Sequence, residues 1–263
     1  MIAVRRVPIE ASPRVPTGTT NAYVVGHDDG VLIDPADRTA TLDEVVEKRE
    51  PSRLLVTHTH PDHIGGVAEY AAEYDLTVLA RAGYEARFER VTGIRPDRTI
   101  RDGAHVEAGE YGLRVTAMPG HAPDHVVLAV RGASEDALLT GDLAVAEGSV
   151  FVGGPDGDMR GYLTALRRLL ARDPDRLFPG HGPVIDDPSE TLARLIAHRI
   201  DRERRVERAV RAGASTPDGI VDEAYEKSLG GVRDLARKTV IAHLEKLAVE
   251  GRVDWTTGVA RPR

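Results

Sequence analysis

His58-Thr59-His60-Pro61-Asp62-His63 follows directly on the apolar run Arg53-Leu54-Leu55-Val56-Thr57. The run reads as a short strand, so four residues of metal-ligand type stand within six positions of a strand end. In extended backbone His58 and His60 lie two apart and project to the same side. Pro61 turns the chain before Asp62 and His63. Such a turn lets one pair aim at one ion and the next pair at a second. Gly65-Gly66 then allows the backbone to pass closely and enter the next helix.

Three later segments repeat the pattern of strand end, glycine and ligand: Pro119-Gly120-His121, Thr140-Gly141-Asp142 and Pro179-Gly180-His181-Gly182. Two more imidazoles and a carboxylate come from them, and a carboxylate can bridge two ions. His27, His105, His198 and His243 have no such company and read as ordinary surface or core residues. The candidate metal site is therefore His58, His60, Asp62, His63, His121, Asp142 and His181. Imidazole and carboxylate suit zinc and also iron or manganese. The chain has no cysteine, which removes thiolate ligands, thiol nucleophiles and disulfides.

Around these motifs the sequence alternates strand and helix. Residues 20 to 34 read as two strands about the turn His27-Asp28-Asp29-Gly30, 39 to 48 as a helix, 67 to 73 as a helix and 76 to 80 as a strand. Alternation of this kind indicates an α/β layered architecture. The middle is strand-rich, at 104–107, 112–117, 125–130 and 137–140. An amphipathic helix over 161–171 and the strand Arg176-Leu177-Phe178-Pro179 follow. From Pro188 the texture changes to helices over 189–212, 216–225 and 232–250, then Gly251-Arg252-Val253-Asp254-Trp255. That order fits a small winged helix, giving an expected division into a catalytic domain, 1–187, and a winged-helix domain, 188–263.

Composition sets outer bounds. Of 263 residues 41% are apolar and 29% charged, as in a water-soluble globular protein. No apolar run approaches the roughly 18 residues of a membrane span. The opening MIAVRRVPIE lacks the apolar core of a signal peptide, and with no cysteine the expected location is cytoplasmic. A net charge of -7 argues against indiscriminate coating of nucleic acid.

HTHPDH with His121, Asp142 and His181 in that order resembles the metallo-β-lactamase superfamily over roughly residues 15 to 187. The resemblance implies an αββα sandwich of two mixed sheets with helices outside. It also implies two divalent metal ions, zinc first, with iron or manganese as alternatives. His58, His60 and His121 would hold one ion and Asp62, His63 and His181 the other, with Asp142 and a hydroxide bridging them. Asp62 would also orient that hydroxide or take its proton. Paired ions of this kind lower the pKa of water and polarise a carbonyl or phosphoryl group.

Asp124-His125, in Pro119-Gly120-His121-Ala122-Pro123-Asp124-His125, is similar to the β-lactamase-like protein 2 group rather than to glyoxalase II sequences, which more often have Gly-Ser there. Ala122 departs from that group's usual threonine. The winged helix belongs to the same group, whose animal member is a single-strand-specific endoribonuclease. The resemblance therefore implies single-stranded RNA as one substrate. A small-molecule ester or thioester, as for glyoxalase II, is the alternative. Between Arg194 and Arg211 seven arginines face Asp201, Glu203 and Glu207, a local net of +4, which suits phosphates. Solvated helix faces carry similar runs, and aromatic residues at 4% offer no evident stacking platform. A third reading, a winged-helix nucleic-acid-binding regulator using Arg233, Arg237 and Lys238, leaves seven ligand residues unexplained. No reading involves a membrane, and the sequence carries no signature of oligomeric state.

Overall fold

A computed structural model describes residues 4–12, 15–226 and 229–263, so the first three residues of the amino-terminal stretch read above lie outside the described part. The first sheet runs in chain order: β1 (Val4–Glu10), β2 (Thr19–Val25), β3 (Gly30–Ile33), β4 (Pro51–Leu55), β5 (Thr77–Arg81) and β6 (Arg98–Ile100). The second is β7 (His105–Ala108), β8 (Tyr111–Ala117), β9 (Val126–Arg131), β10 (Ala137–Gly141) and β11 (Arg176–Pro179), likewise in sequence order from one edge to the other. From β3 to β6 neighbours are parallel, while the second sheet is antiparallel except for β10 beside β11.

Strands with both faces covered read as continuous apolar runs. Val31 and Ile33 of β3 join Leu55, Leu113, Val115, Leu128 and Leu139 between the sheets. Leu32 points the other way, with Leu54, to the layer of α1 (Ala40–Arg49), α3 (Val67–Glu73) and α4 (Glu85–Thr92), where Leu42, Val46, Tyr70 and Phe88 cover the sheet. A four-residue helix, α2 (Pro61–Ile64), precedes α3. On the second sheet's outer face, Val127, Ala129 and Leu138 meet Tyr162, Leu166 and Leu169 of α5 (Met159–Arg172). Helix, sheet, sheet, helix: the expected αββα order is what the chain forms.

The carboxy-terminal part comprises α6 (Pro188–Arg211), α7 (Pro217–Ala224), α8 (Arg233–Val249) and the antiparallel pair β12 (Val253–Thr256) and β13 (Val259–Pro262). Ile220, Val221, Val240, Leu244, Leu247 and Val253 form its core. Helix α6 belongs to two cores. Leu192 and Leu195 pack with α5, whereas Val206 and Val210 pack with α7 and α8.

Two elements went unread in the stretch between β5 and β7. Phe88 is the one buried residue of α4, so its apolar period is faint. Strand β6 has only three residues, two of them exposed.

Candidate metal centre

Strands β8, β10 and β11 run the same way, as do β3 and β4, so their carboxyl ends meet at one end of the sandwich. Every sequence-predicted ligand lies just past such an end. His58, His60 and His121 each offer a ligand atom within 4.8 Å of the others, as do His58, His63 and Asp142, and Asp62, His63 and His181. The described residues thus hold two overlapping candidate metal sites, with Asp142 between them.

Outer hydrogen bonds fix which ring nitrogen faces inward. Thr57 gives its hydroxyl proton to Asp34 at 2.7 Å, so its oxygen accepts from His58 Nδ1 at 3.1 Å. His60 Nε2 donates to Asp156 at 3.3 Å, and His63 Nδ1 to Asp34 at 3.1 Å. His121 Nδ1 donates to the Phe151 carbonyl at 2.9 Å and His181 Nδ1 to that of Thr19 at 2.7 Å. All five rings are left with a lone pair directed into the cluster, the arrangement a cation requires. His60 Nδ1 lies 3.1 Å from His58 Nε2 and 2.8 Å from His121 Nε2. Such closeness suits nitrogens that share an ion.

The carboxylate side fits equally well. Asp142 places Oδ1 3.3 Å from His63 Nε2, and Oδ2 3.2 Å from His181 Nε2 and 3.5 Å from His121 Nε2. Asp142 Oδ1 and His63 Nε2 are buried atoms without a hydrogen-bond partner. Asp62 Oδ2 stands 3.5 Å from His181 Nε2, and its side chain is one quarter exposed. Burial and the neighbouring imidazoles hold the His58 pKa well below its ordinary value, and burial takes His121 down to about 4. In both the shift favours the neutral ring, the form that ligates a metal. Burial alone would raise Asp142, yet His181 and His63 hold it well below the usual carboxylate range.

The structure also brings in residues that sequence reading missed. Asp34, buried at the end of β3 with φ +50°, accepts from Thr57 N at 2.6 Å and orients both Thr57 and His63. Arg87 of α4 grips Asp156 through two bonds, at 2.9 and 2.6 Å, and donates to Thr59 at 2.7 Å. Thr59 in turn donates to Asp124 at 2.7 Å. Asp124 thus anchors the 58–63 loop from behind. His125 accepts from the Asp142 N–H at 3.2 Å and steers that carboxylate. Strand-end position could have flagged Asp34; nothing local distinguishes Arg87 or Asp156.

Gly180 makes room for the cluster. A Cβ there would meet Asp142 Oδ1 at 2.5 Å and His63 Cε1 at 2.8 Å. Gly180→Ala is expected to push those side chains apart, costing about 1–3 kcal/mol as overpacking does. Melting with added zinc and with chelator checks it: the metal-dependent rise in Tm should shrink. An undiminished rise would contradict the close packing.

The metallo-beta-lactamase superfamily model matches residues 15–181, the span that carries all seven predicted ligands. The chain belongs to this superfamily. The fold and the ligand triads make it an enzyme of this hydrolase superfamily. A beta-lactamase associated winged helix domain matches residues 216–258. The superfamily member from Drosophila melanogaster named beta-lactamase-like protein 2 homolog is 30% identical over 89% of this chain and 84% of its own length. The Caenorhabditis elegans protein of the same name is 30% identical over 76% of this chain, which spans 66% of that protein, just under two thirds. A metallo-beta-lactamase family protein from Thermus thermophilus has the same fold, with a TM-score of 0.80, 22% identity and coverage of 99% of this chain and 98% of that one.

In this metallo-beta-lactamase superfamily enzyme the basic run on α6 is mostly engaged within the protein. Arg194 donates to the carbonyls of Gly148, Val145 and Ala146, and Arg199 to that of Val150. Arg202 donates to Ala224, Arg205 pairs with Asp201 and Glu226, and Arg211 pairs with Glu207. On the winged helix, Arg233 pairs with Asp222 and Arg237 with Asp218. Arg204 and Arg208 remain exposed. No helix among the described residues is long and apolar enough to cross a membrane.

Proposed function

We infer that this enzyme hydrolyses esters or thioesters of an apolar acyl group, with two divalent ions, zinc by preference, held by the seven predicted ligands. The observation that carries this reading is the shape and lining of the cleft. Over the ligand cluster lies a space of about 180 Å³ whose lips are Val15, Phe151 and Leu235. Those three residues also line a larger cavity of about 570 Å³ beneath the winged helix. An acyl chain fits such a passage, whereas single-stranded RNA needs an open groove with many free cations and stacking faces. We also place the chain in the β-lactamase-like protein 2 group, on Asp124-His125, the winged helix and the two animal relatives. The division near residue 187 is proposed with it, α6 bracing both parts.

Bound divalent ions would supply Lewis acidity toward the scissile carbonyl and lower the pKa of attacking water. The chain's part is to position and to move protons. Asp34, Asp156, Thr57 and the carbonyls of Thr19 and Phe151 set the imidazole tautomers. Asp62, the most exposed ligand carboxylate, faces the cleft and is placed to take a proton from water and return it to the leaving group.

Parallel assays on octanoyl thioester, S-lactoylglutathione and single-stranded RNA, each repeated with Asp62→Ala, test the reading. Turnover of the octanoyl thioester that vanishes in the variant is expected. RNA cleavage that requires Asp62, without ester turnover, would move the assignment to an endoribonuclease. Sequence-specific duplex binding without any hydrolysis would favour the regulator instead.

A further inference from the structure

The larger cavity has a cationic wall. His198, Arg199 and Arg202, on one side of α6, line it together. Arg199 is only 3% exposed, and its Nε has no hydrogen-bond partner. One of its Nη atoms donates to Val150 O, and its guanidinium lies 5.5 Å from the Tyr162 ring centre. Arg202 lies 3.5 Å over the Tyr225 ring and spends one Nη on the Ala224 carbonyl at 2.6 Å.

Among the described residues neither guanidinium forms an ion pair with a carboxylate. The acids flanking them on the helix are taken elsewhere: Asp201 by Arg205, Glu203 by Lys246 and Arg252, and Glu207 by Arg211 and Arg252. Glu147, the one carboxylate lining the cavity, is exposed and pairs with neither. Burial and the adjacent Arg199 and Arg202 drive the His198 pKa down to about 4, as expected beside uncompensated positive charge. Buried charge is ordinarily paired. Two guanidinium groups three residues apart on a helix face, open to a cavity and without an acid, form a place for an anion.

This wall adjoins the ligand cluster directly. Phe151 O accepts from His121, and the preceding carbonyl, Val150 O, accepts from Arg199. The rest of the cavity is largely apolar, with Leu229, Val232, Leu235 and Ala236. We propose that Arg199 and Arg202, with His198, form an anion subsite separate from the metal cluster, which takes a carboxylate or phosphate carried on an otherwise apolar substrate. A polynucleotide would set most of its phosphates against those aliphatic walls. One anion on an apolar body matches the lining. That this ligand is a substrate rests on the ester-hydrolase reading; the anion subsite itself does not.

Isothermal titration of the full chain with octanoate, octyl phosphate, octanol and an eight-residue oligouridylate tests the proposal. Octanoate or octyl phosphate should bind about tenfold or more tightly than octanol, the scale of one charge-assisted hydrogen bond. The tighter of the two distinguishes a carboxylate on the acyl part from a phosphate on the leaving group. Arg202→Gln should abolish the preference over octanol. His198→Glu should do the same while supplying the missing acid, so its fold is expected to hold even where Arg202→Gln is unstable. Equal binding of octanol, anion binding unchanged in both variants, or displacement of octanoate by the oligouridylate would each overturn the subsite. Binding is read without turnover. Absence of ester hydrolysis alongside intact anion binding would therefore sink the ester-hydrolase reading alone.

Discussion

Asp142→Asn is expected to lose metal and turnover together while the fold stands. The amide keeps the carboxylate's volume, so the sandwich core is not opened. What changes is charge and donor count. Asp142 now offers both oxygens, 3.2 to 3.5 Å from His63, His121 and His181. An asparagine offers one neutral oxygen and turns N–H groups toward imidazole nitrogens. Elemental analysis should show metal falling from near two ions per chain to one or fewer. Ester turnover should fall by roughly three orders of magnitude or more, the scale seen when one member of a cooperating catalytic unit is removed. Wild-type metal content and rate in this variant would show that Asp142 does not hold the centre.

Glu203→Ala carries the largest expected loss of stability. Glu203 is buried on α6; it forms an ion pair with Lys246 at 2.8 Å and accepts from Arg252 at 2.9 Å, with His243 Nδ1 3.7 Å away. Truncation leaves the buried Lys246 ammonium with only Glu250, at 2.8 Å, as a partner. Breaking a buried pair from one side costs about 3–5 kcal/mol, which in a chain of this size lowers Tm by roughly 10 °C. Burial alone would raise the Glu203 pKa; the neighbouring His243 and Lys246 more than reverse that and hold it at about 2. Because the folded value is depressed, the group's stabilisation is full above its ordinary value of 4.5 and is lost as pH falls toward 2. The gap in Tm between wild type and variant should therefore narrow on acidification from pH 6 to pH 3. A gap that is absent at pH 6, or that widens in acid, would contradict the assignment.

The candidate ligands stood out in the sequence because each is a metal-ligand residue type at a strand end, and because His58 to His63 concentrate four of them. Their supports were not. Asp34, Arg87 and Asp156 belong to abundant residue types, and their partners lie 23 to 96 positions away along the chain. Only the closure of the two sheets makes those pairs. The layered core was readable from runs such as Val31-Leu32-Ile33, which are apolar on both faces. Strand β1 was not, since Arg5, Arg6 and Pro8 break the run; an edge position tolerates all three. The contacts of the α6 arginines were hidden for a related reason. A local count of charge includes Asp201, Glu203 and Glu207 but omits the carbonyls of the 145–150 loop, the Ala224 carbonyl and the distant Glu226, which engage four of the seven arginines.

Helix α6 is one unbroken rod of 24 residues, roughly 36 Å long at the usual rise, with no glycine or proline after its first turn. It is rooted in the sandwich at one end and in the winged helix at the other. A swing of the winged helix about its connection would have to bend that rod, so the connection is no hinge. Leu235, on α8 of the winged helix, forms one lip over the ligand cluster. A roof braced by such a rod would not close over a guest like a jaw. On the ester-hydrolase reading proposed above, such a mouth would admit an acyl chain lengthwise and select for girth rather than length.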